Sequence, residues 1–183
     1  IDQSPLYNFG SVPTGATRTF IFTMTNTGSF IATGLSGAGL TPPFTYSGGS
    51  FPGTGGDCAA TLAASSSCQI EVLYSPTNVA THNATMDVNY FDGANNQNSL
   101  RDLQGTGVAP ALLEISNAPS FNFGTVATGS INTQVLTVTN SGGFQATAIA
   151  DNLGLAAPFS FSGGSFPGVG GDCAATLASG STC

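Results

Sequence analysis

Lysine is absent from the 183 residues, and Arg18 and Arg101 are the only Lys or Arg side chains. Charged residues make up 6% of the chain, against roughly 25% in an ordinary soluble domain. Nine acidic residues leave a net charge of −7. Binding a phosphate backbone requires clustered Lys and Arg, so nucleic acid is excluded as a partner. A polybasic membrane contact is excluded on the same ground. Without lysine there is no Schiff base and no P-loop. No apolar run approaches the roughly 20 residues of a membrane-spanning helix, so direct membrane insertion is not expected. There is neither an initiating Met nor a signal segment, and the expectation is that any export signal was removed or lies outside these residues. The one histidine, His82, stands between Thr81 and Asn83 with no motif around it. An enzyme would have to work with carboxylates and hydroxyls alone. The chain is expected not to be an enzyme and to carry no catalytic, cofactor or metal site.

What the chain has is apolar material and repetition. Thirteen Phe, four Tyr and a hydrophobic fraction of 40% are enough to build a core, which argues against disorder. Tyr7-Asn8-Phe9-Gly10-Ser11-Val12 returns as Phe121-Asn122-Phe123-Gly124-Thr125-Val126, an offset of 114. Thr23-Met24-Thr25-Asn26 returns as Thr137-Val138-Thr139-Asn140. After a one-residue insertion, SGGSFPGTGGDCAATLA (Ser47 to Ala63) returns as SGGSFPGVGGDCAATLA (Ser162 to Ala178) at an offset of 115. Self-similarity at a fixed period is the signature of a repeat architecture. Residues 1–110 are therefore taken as one module and 111–183 as a second. The second stops at Cys183, the counterpart of Cys68, and lacks everything matching 69–108. The expected picture is a window on a longer periodic protein.

Within a copy, short alternating segments lie between turn signals. Phe20, Phe22 and Met24 fall on one side at period two, and Asn26-Thr27-Gly28 marks a turn. Phe30 to Thr33 reads as the next strand. Ile70, Val72 and Tyr74 alternate up to Ser75-Pro76. Ala84, Met86, Val88 and Tyr90 alternate again, and a last strand is expected near Leu100–Gln104. No stretch sustains a 3.6-residue period, and 25 Gly with 10 Pro would break one. The fold class is all-β: tandem immunoglobulin-like β-sandwiches with about seven strands per repeat.

These motifs carry a resemblance. Asn-Phe-Gly followed by Val-x-x-Gly opens the pattern, then a Thr-rich strand ends in Thr-Asn-x-Gly. A Cys-x-Ile-x-Val strand closes in Ser-Pro-Thr (Cys68 to Thr77), and Gly-Thr-Gly-Val (Gly105 to Val108) completes it. Their order and spacing resemble Ig-like repeats of the choice-of-anchor D type, relatives of the abnormal-spindle/hydin and major-sperm-protein sandwiches. The resemblance covers the first copy and the matching part of the second. It implies a bacterial secreted or surface-anchored multi-repeat protein.

Four residues per copy stand out. Cys58 and Cys68 recur as Cys173 and Cys183 at the same spacing. Zinc sites usually bring Cys in closer pairs with a second pair or His nearby, and neither pair here has one. The recurring spacing points to a disulfide in each copy, contributing roughly 3 kcal/mol in the chain-entropy model. Reduced core thiols remain the alternative. A disulfide implies an oxidising compartment outside the cytoplasm. Asp57 and Asp172 recur beside the first cysteine, either capping a turn or belonging to a contact between copies. The loop holding Phe51 matches that holding Phe166, as a shared contact surface or as a glycine-dependent backbone. Asp92 to Asn98 has oxygen ligands but lacks the alternating acids of a calcium loop, and a hairpin turn is the plainer reading. Asn83-Ala84-Thr85 is a glycosylation sequon, but in a bacterial protein such a sequon usually carries no meaning, and a strand-flanking Asn is the plainer reading. Together these features describe an extracellular or cell-surface structural protein forming a fibre, stalk or filament. It would self-associate with further copies or neighbouring subunits, strand addition being one route. The competing function is an adhesin whose loops grip a carbohydrate or protein, with Phe51 and Phe166 the loop aromatics available to it.

Overall fold

The computed structural model describes residues 1–2 and 5–183. The chain divides into two compact units, Ile1–Val108 and Ala109–Cys183. The first contains β1 (Leu6–Pro13), β2 (Arg18–Thr25), β3 (Ala32–Gly37), β4 (Phe44–Tyr46), β5 (Thr61–Leu62), β6 (Ser67–Tyr74), β7 (Thr81–Phe91) and β8 (Asn96–Val108), with a 3-10 turn at Ser47–Gly49. Five strands form one sheet in the order β1-β8-β7-β3-β5, and three form the other in the order β2-β6-β4. β1 runs parallel to β8; the other pairings are antiparallel. Among the described residues no helix is long and apolar enough to cross a membrane.

The alternation in sequence becomes two apolar faces. Phe22, Ile70, Val72, Tyr74, Met86 and Val88 are fully buried. The β2–β6 register sets Phe22 opposite Ile70 and Met24 opposite Cys68, so the side chains meet across one sheet face. Period-two burial of this kind fixes register, because a one-residue slip would turn every apolar side chain outward. Aromatic rings fill the middle. Phe44 stacks on Tyr74 at 4.7 Å, and Phe9 lies 5.6 Å from each of them.

Local differences from the sequence expectation have simple causes. β3 begins at Ala32, because Phe30 and Ile31 project from the turn into solvent. β8 runs from Asn96 rather than from near Leu100, because its polar first residues pair with the end of β7 across the Asp92 turn. Asp92 accepts the Ala94 and Asn95 backbone N–H groups and the Gln97 amide, making the segment a hairpin turn. Arg101 is 4% exposed and donates to the carbonyls of Pro5 and Ile1. His82 bridges the Tyr74 hydroxyl and Asn78, a packed side chain on β7.

The second unit, expected as an incomplete repeat, contains no sandwich of two larger sheets. Its strands are β9 (Leu113–Ile115), β10 (Val138–Asn140), β11 (Ala146–Thr147) and β12 (Thr176–Leu177), joined as two separate pairs. Residues 120–126 and 132–137, the counterparts of β1 and β2, form no ladder. In the first unit those strands pair with β8 and β6, and most of that partner material has no counterpart here. Leu136, the counterpart of Phe22, is 44% exposed, whereas Phe22 is fully buried.

Close packing leaves no room for a side chain at Gly107. A Cβ on Gly107 would collide with the carbonyl oxygen of Asn78 and crowd the Pro76 ring, whereas a Cβ on Gly39 meets nothing within 4 Å. Gly107→Ala is expected to destabilise the first unit by about 1–3 kcal/mol, and Gly39→Ala to leave it nearly unchanged. Urea unfolding curves of the two variants measure the difference.

Candidate functional site

The repeated Gly-rich loop and its disulfide form the site. Loop 47–58 leaves β4, turns back and runs along β6. Its turns are closed by bonds from Thr54 N–H to Ser47 O (2.9 Å), Gly53 N–H to Ser50 O (2.8 Å) and Gly56 N–H to Gly53 O (3.0 Å). Its far half is fastened to the strand. The N–H of Glu71 donates to Pro52 O (2.8 Å), that of Asp57 to Gln69 O (3.0 Å), and that of Gly55 to the Glu71 carboxylate (2.8 Å). Gly53 has φ +94°, and a Cβ there would strike the Glu71 carbonyl. Only glycine allows both that dihedral and that approach.

The disulfide Cys58–Cys68 joins the end of this loop to β6 across a Cα–Cα distance of 4.9 Å, with both residues buried. Asp57 is exposed, and its Oδ1 accepts the Gln69 N–H at 2.5 Å. The carboxylate therefore caps the loop onto the neighbouring strand instead of closing its own turn. Phe51 is half-buried edge-on against Tyr46 at 5.5 Å. The Tyr46 hydroxyl donates to Ala38 O. Burial, and secondarily the Asp87 carboxylate, push the Tyr46 phenol up to about 12. Among the described residues no three of His, Cys, Asp and Glu gather as a metal-binding group.

The same loop recurs in the second unit with the same internal bonds. Val169 N–H donates to Ser162 O (2.7 Å), Gly168 N–H to Ser165 O (2.8 Å) and Gly171 N–H to Gly168 O (3.0 Å). Phe166 packs edge-on against Phe161 at 5.6 Å. Cys173 is bonded to Cys183, again with a Cα–Cα distance of 4.9 Å. Asp172 is exposed. The internal turns of the loop are thus the same in both units.

A second recurring element escaped sequence reasoning. Asn26 donates from its amide to Phe30 O (2.8 Å) and Leu62 O (3.0 Å) and accepts the Gly28 N–H (3.0 Å). Asn140 repeats this with Phe144 O (2.8 Å), Leu177 O (3.1 Å) and Gly142 N–H (3.1 Å), and also accepts the Leu112 N–H. The Thr-Asn-x-Gly pattern signals a turn. That its amide also reaches the strand carrying Leu62 depends on contacts distant in sequence.

The sequence that folds into this sandwich matches a known family. The model of the HYDIN/CFA65/VesB-like Ig-like domain matches residues 1–106. The chain belongs to this Ig-like domain family. Solved structures similar to it include the Vibrio cholerae VesB protease, at 19% identity and a TM-score of 0.47. That match covers 55% of this chain and 30% of the protease chain. Another is the ASH/PapD-like domain 7 of human CEP192, at 16% identity and a TM-score of 0.44, over 57% of this chain and 82% of that one. No curated protein matches the sequence.

Two measurements address the site. Replacing Cys58 and Cys68 by Ala is expected to cost the first unit about 2–4 kcal/mol, read from unfolding curves with and without reductant. The phenol of Tyr46 is held above its unfolded value of about 10, so its stabilising contribution is complete below that pH and disappears as pH rises toward 12. The urea midpoint should stay level up to about pH 10 and then fall, less steeply in Tyr46→Phe.

Proposed function

We propose that this Ig-like chain is a non-enzymatic structural protein of the bacterial surface or extracellular space, of the choice-of-anchor D type. Its modules, 1–110 and 111–183, act as tandem units of a fibre, stalk or filament that associates with further copies. The observation that supports this best is recurrence: the internal turns of the loop, the asparagine amide bonds to the two carbonyls and the disulfide are found in both units. Repeat proteins are stabilised by neighbour contacts between like units, and such arrays extend in one dimension. Disulfides persist in oxidising surroundings, which suits a place outside the cytoplasm. The chain's charge of −7 and its lack of lysine leave trypsin few places to cut. The adhesin reading needs exposed loop aromatics, and Phe51 and Phe166 instead rest against Tyr46 and Phe161.

Negative-stain electron microscopy of the purified full chain tests the proposal. Linear assemblies that grow with concentration are the expected result. Separate particles of one size at every concentration would overturn it.

A further inference from the structure

The outer face of the five-stranded sheet has two halves of different character. On β7 the buried Met86 and Val88 alternate with exposed residues, among them Asn83, Thr85, Asn89 and Phe91. Toward Thr81 the polar side chains of this face satisfy one another. Asn8 donates to Gln104, Gln104 to Asn83, and Thr85 to the Asp102 carboxylate. Toward Phe91 they are free. Asn89, Asn96 and Asn98 are exposed, and among the described residues their amides have no hydrogen-bond partner. Phe91 is 39% exposed and sits between Thr33 of β3 and Asn96 of β8. The β3–β7 register shifts just beyond Thr33, with Gly34 at φ +65°. A cleft of about 330 Å³ lies here, with Thr33, Asn89, Phe91, Asn96 and Gln97 among its lining residues.

No lining side chain is charged, in a chain whose net charge is −7. The next residue, Asp92, has its carboxylate occupied by the Ala94 and Asn95 N–H groups and the Gln97 amide. Arg18 and Arg101 donate to backbone carbonyls elsewhere. An anion therefore finds no counter-charge in the cleft, and neither does a cation. A purely aliphatic ligand would use none of the amides. What remains is a neutral ligand with one apolar face and several hydroxyls, which describes a sugar ring. Its C–H face can lie on an aromatic ring, and its hydroxyls both donate to and accept from Asn side chains. We propose that this cleft binds a neutral saccharide unit, with Phe91 beneath the ring and Asn89, Asn96 and Thr33 bonding its hydroxyls. The volume is at the small end of ligand sites, about 300–1,000 Å³, and suits a single sugar unit rather than a long stretch of chain. Phe51 and Phe166 take no part. The proposal goes beyond the structural role given above and does not depend on fibre formation.

Saturation-transfer difference NMR on the full chain tests it, because this readout follows the sugar and works on single chains and filaments alike. The probes are methyl α-glucoside, methyl β-galactoside, methyl α-mannoside and N-acetylglucosamine. At least one is expected to receive saturation, strongest at the C–H protons of one ring face. Phe91→Ala should weaken its binding about tenfold, while Phe91→Tyr, which keeps the ring, should bind like the native chain. Asn89→Ala should also weaken binding without touching the ring, and Asn83→Ala, on the self-satisfied half of the face, should change nothing. The trisaccharide of the sugar that binds identifies its source. Equal affinity points to a free sugar, and tighter binding to the end of a longer glycan. The proposal falls if none of the probes receives saturation, or if Phe91→Ala and Asn89→Ala both bind as the native chain does.

Discussion

Strand β6 has both edges hydrogen-bonded, to β2 on one side and to β4 and the Gly-rich loop on the other, and one face fully buried. Much of the first unit's order depends on that position. The disulfide fixes its first turn of residues to the loop, Asp57 and Pro52 hold the next, and Tyr74 closes the stack with Phe9 and Phe44. Gly105 leaves room for Tyr74, since a Cβ there would come within 2.6 Å of the ring. A central strand contributes twice to backbone pairing, and its loss leaves two edges unsatisfied rather than one.

The second unit, residues 109–183, includes counterparts of only the first two residues of that strand. Its local motifs survive: turns, amide clamp, disulfide and ring pairs keep the distances found in the first unit. Phe121 and Phe123 lie 5.0 Å apart at 89°, as Tyr7 and Phe9 do at 5.0 Å and 88°. The ladders do not survive. Bonds within a loop need only nearby residues, whereas a sheet needs partners far along the chain. The two units separate these contributions within a single sequence.

The same division explains what could be read in advance. The alternation of Ile70, Val72 and Tyr74 placed β6 and its inward face, and the matched cysteine spacing led to both disulfides, because each is a local pattern with one dominant physical meaning. Phe30 and Ile31 looked like strand residues because they are apolar, but their position on a turn leaves them in solvent. The polar start of β8 carried no apolar signal and was set by its partner β7. Asp57 was legible as a capping residue, while its actual acceptor role toward Gln69 depends on a loop folding back on a strand.

The position of the disulfide has a mechanical side. Cys58 and Cys68 are 10 residues apart in sequence and 4.9 Å apart at their Cα atoms. At about 3.5 Å per extended residue, the loop between them stores roughly 30 Å of contour that tension on the chain cannot reach. Load entering from the Gly-rich loop passes through sulfur directly into the central strand, bypassing β5. A unit pulled apart would therefore lengthen by that much less in oxidising surroundings than in reducing ones, and its tether would shorten or slacken with the redox state of its surroundings.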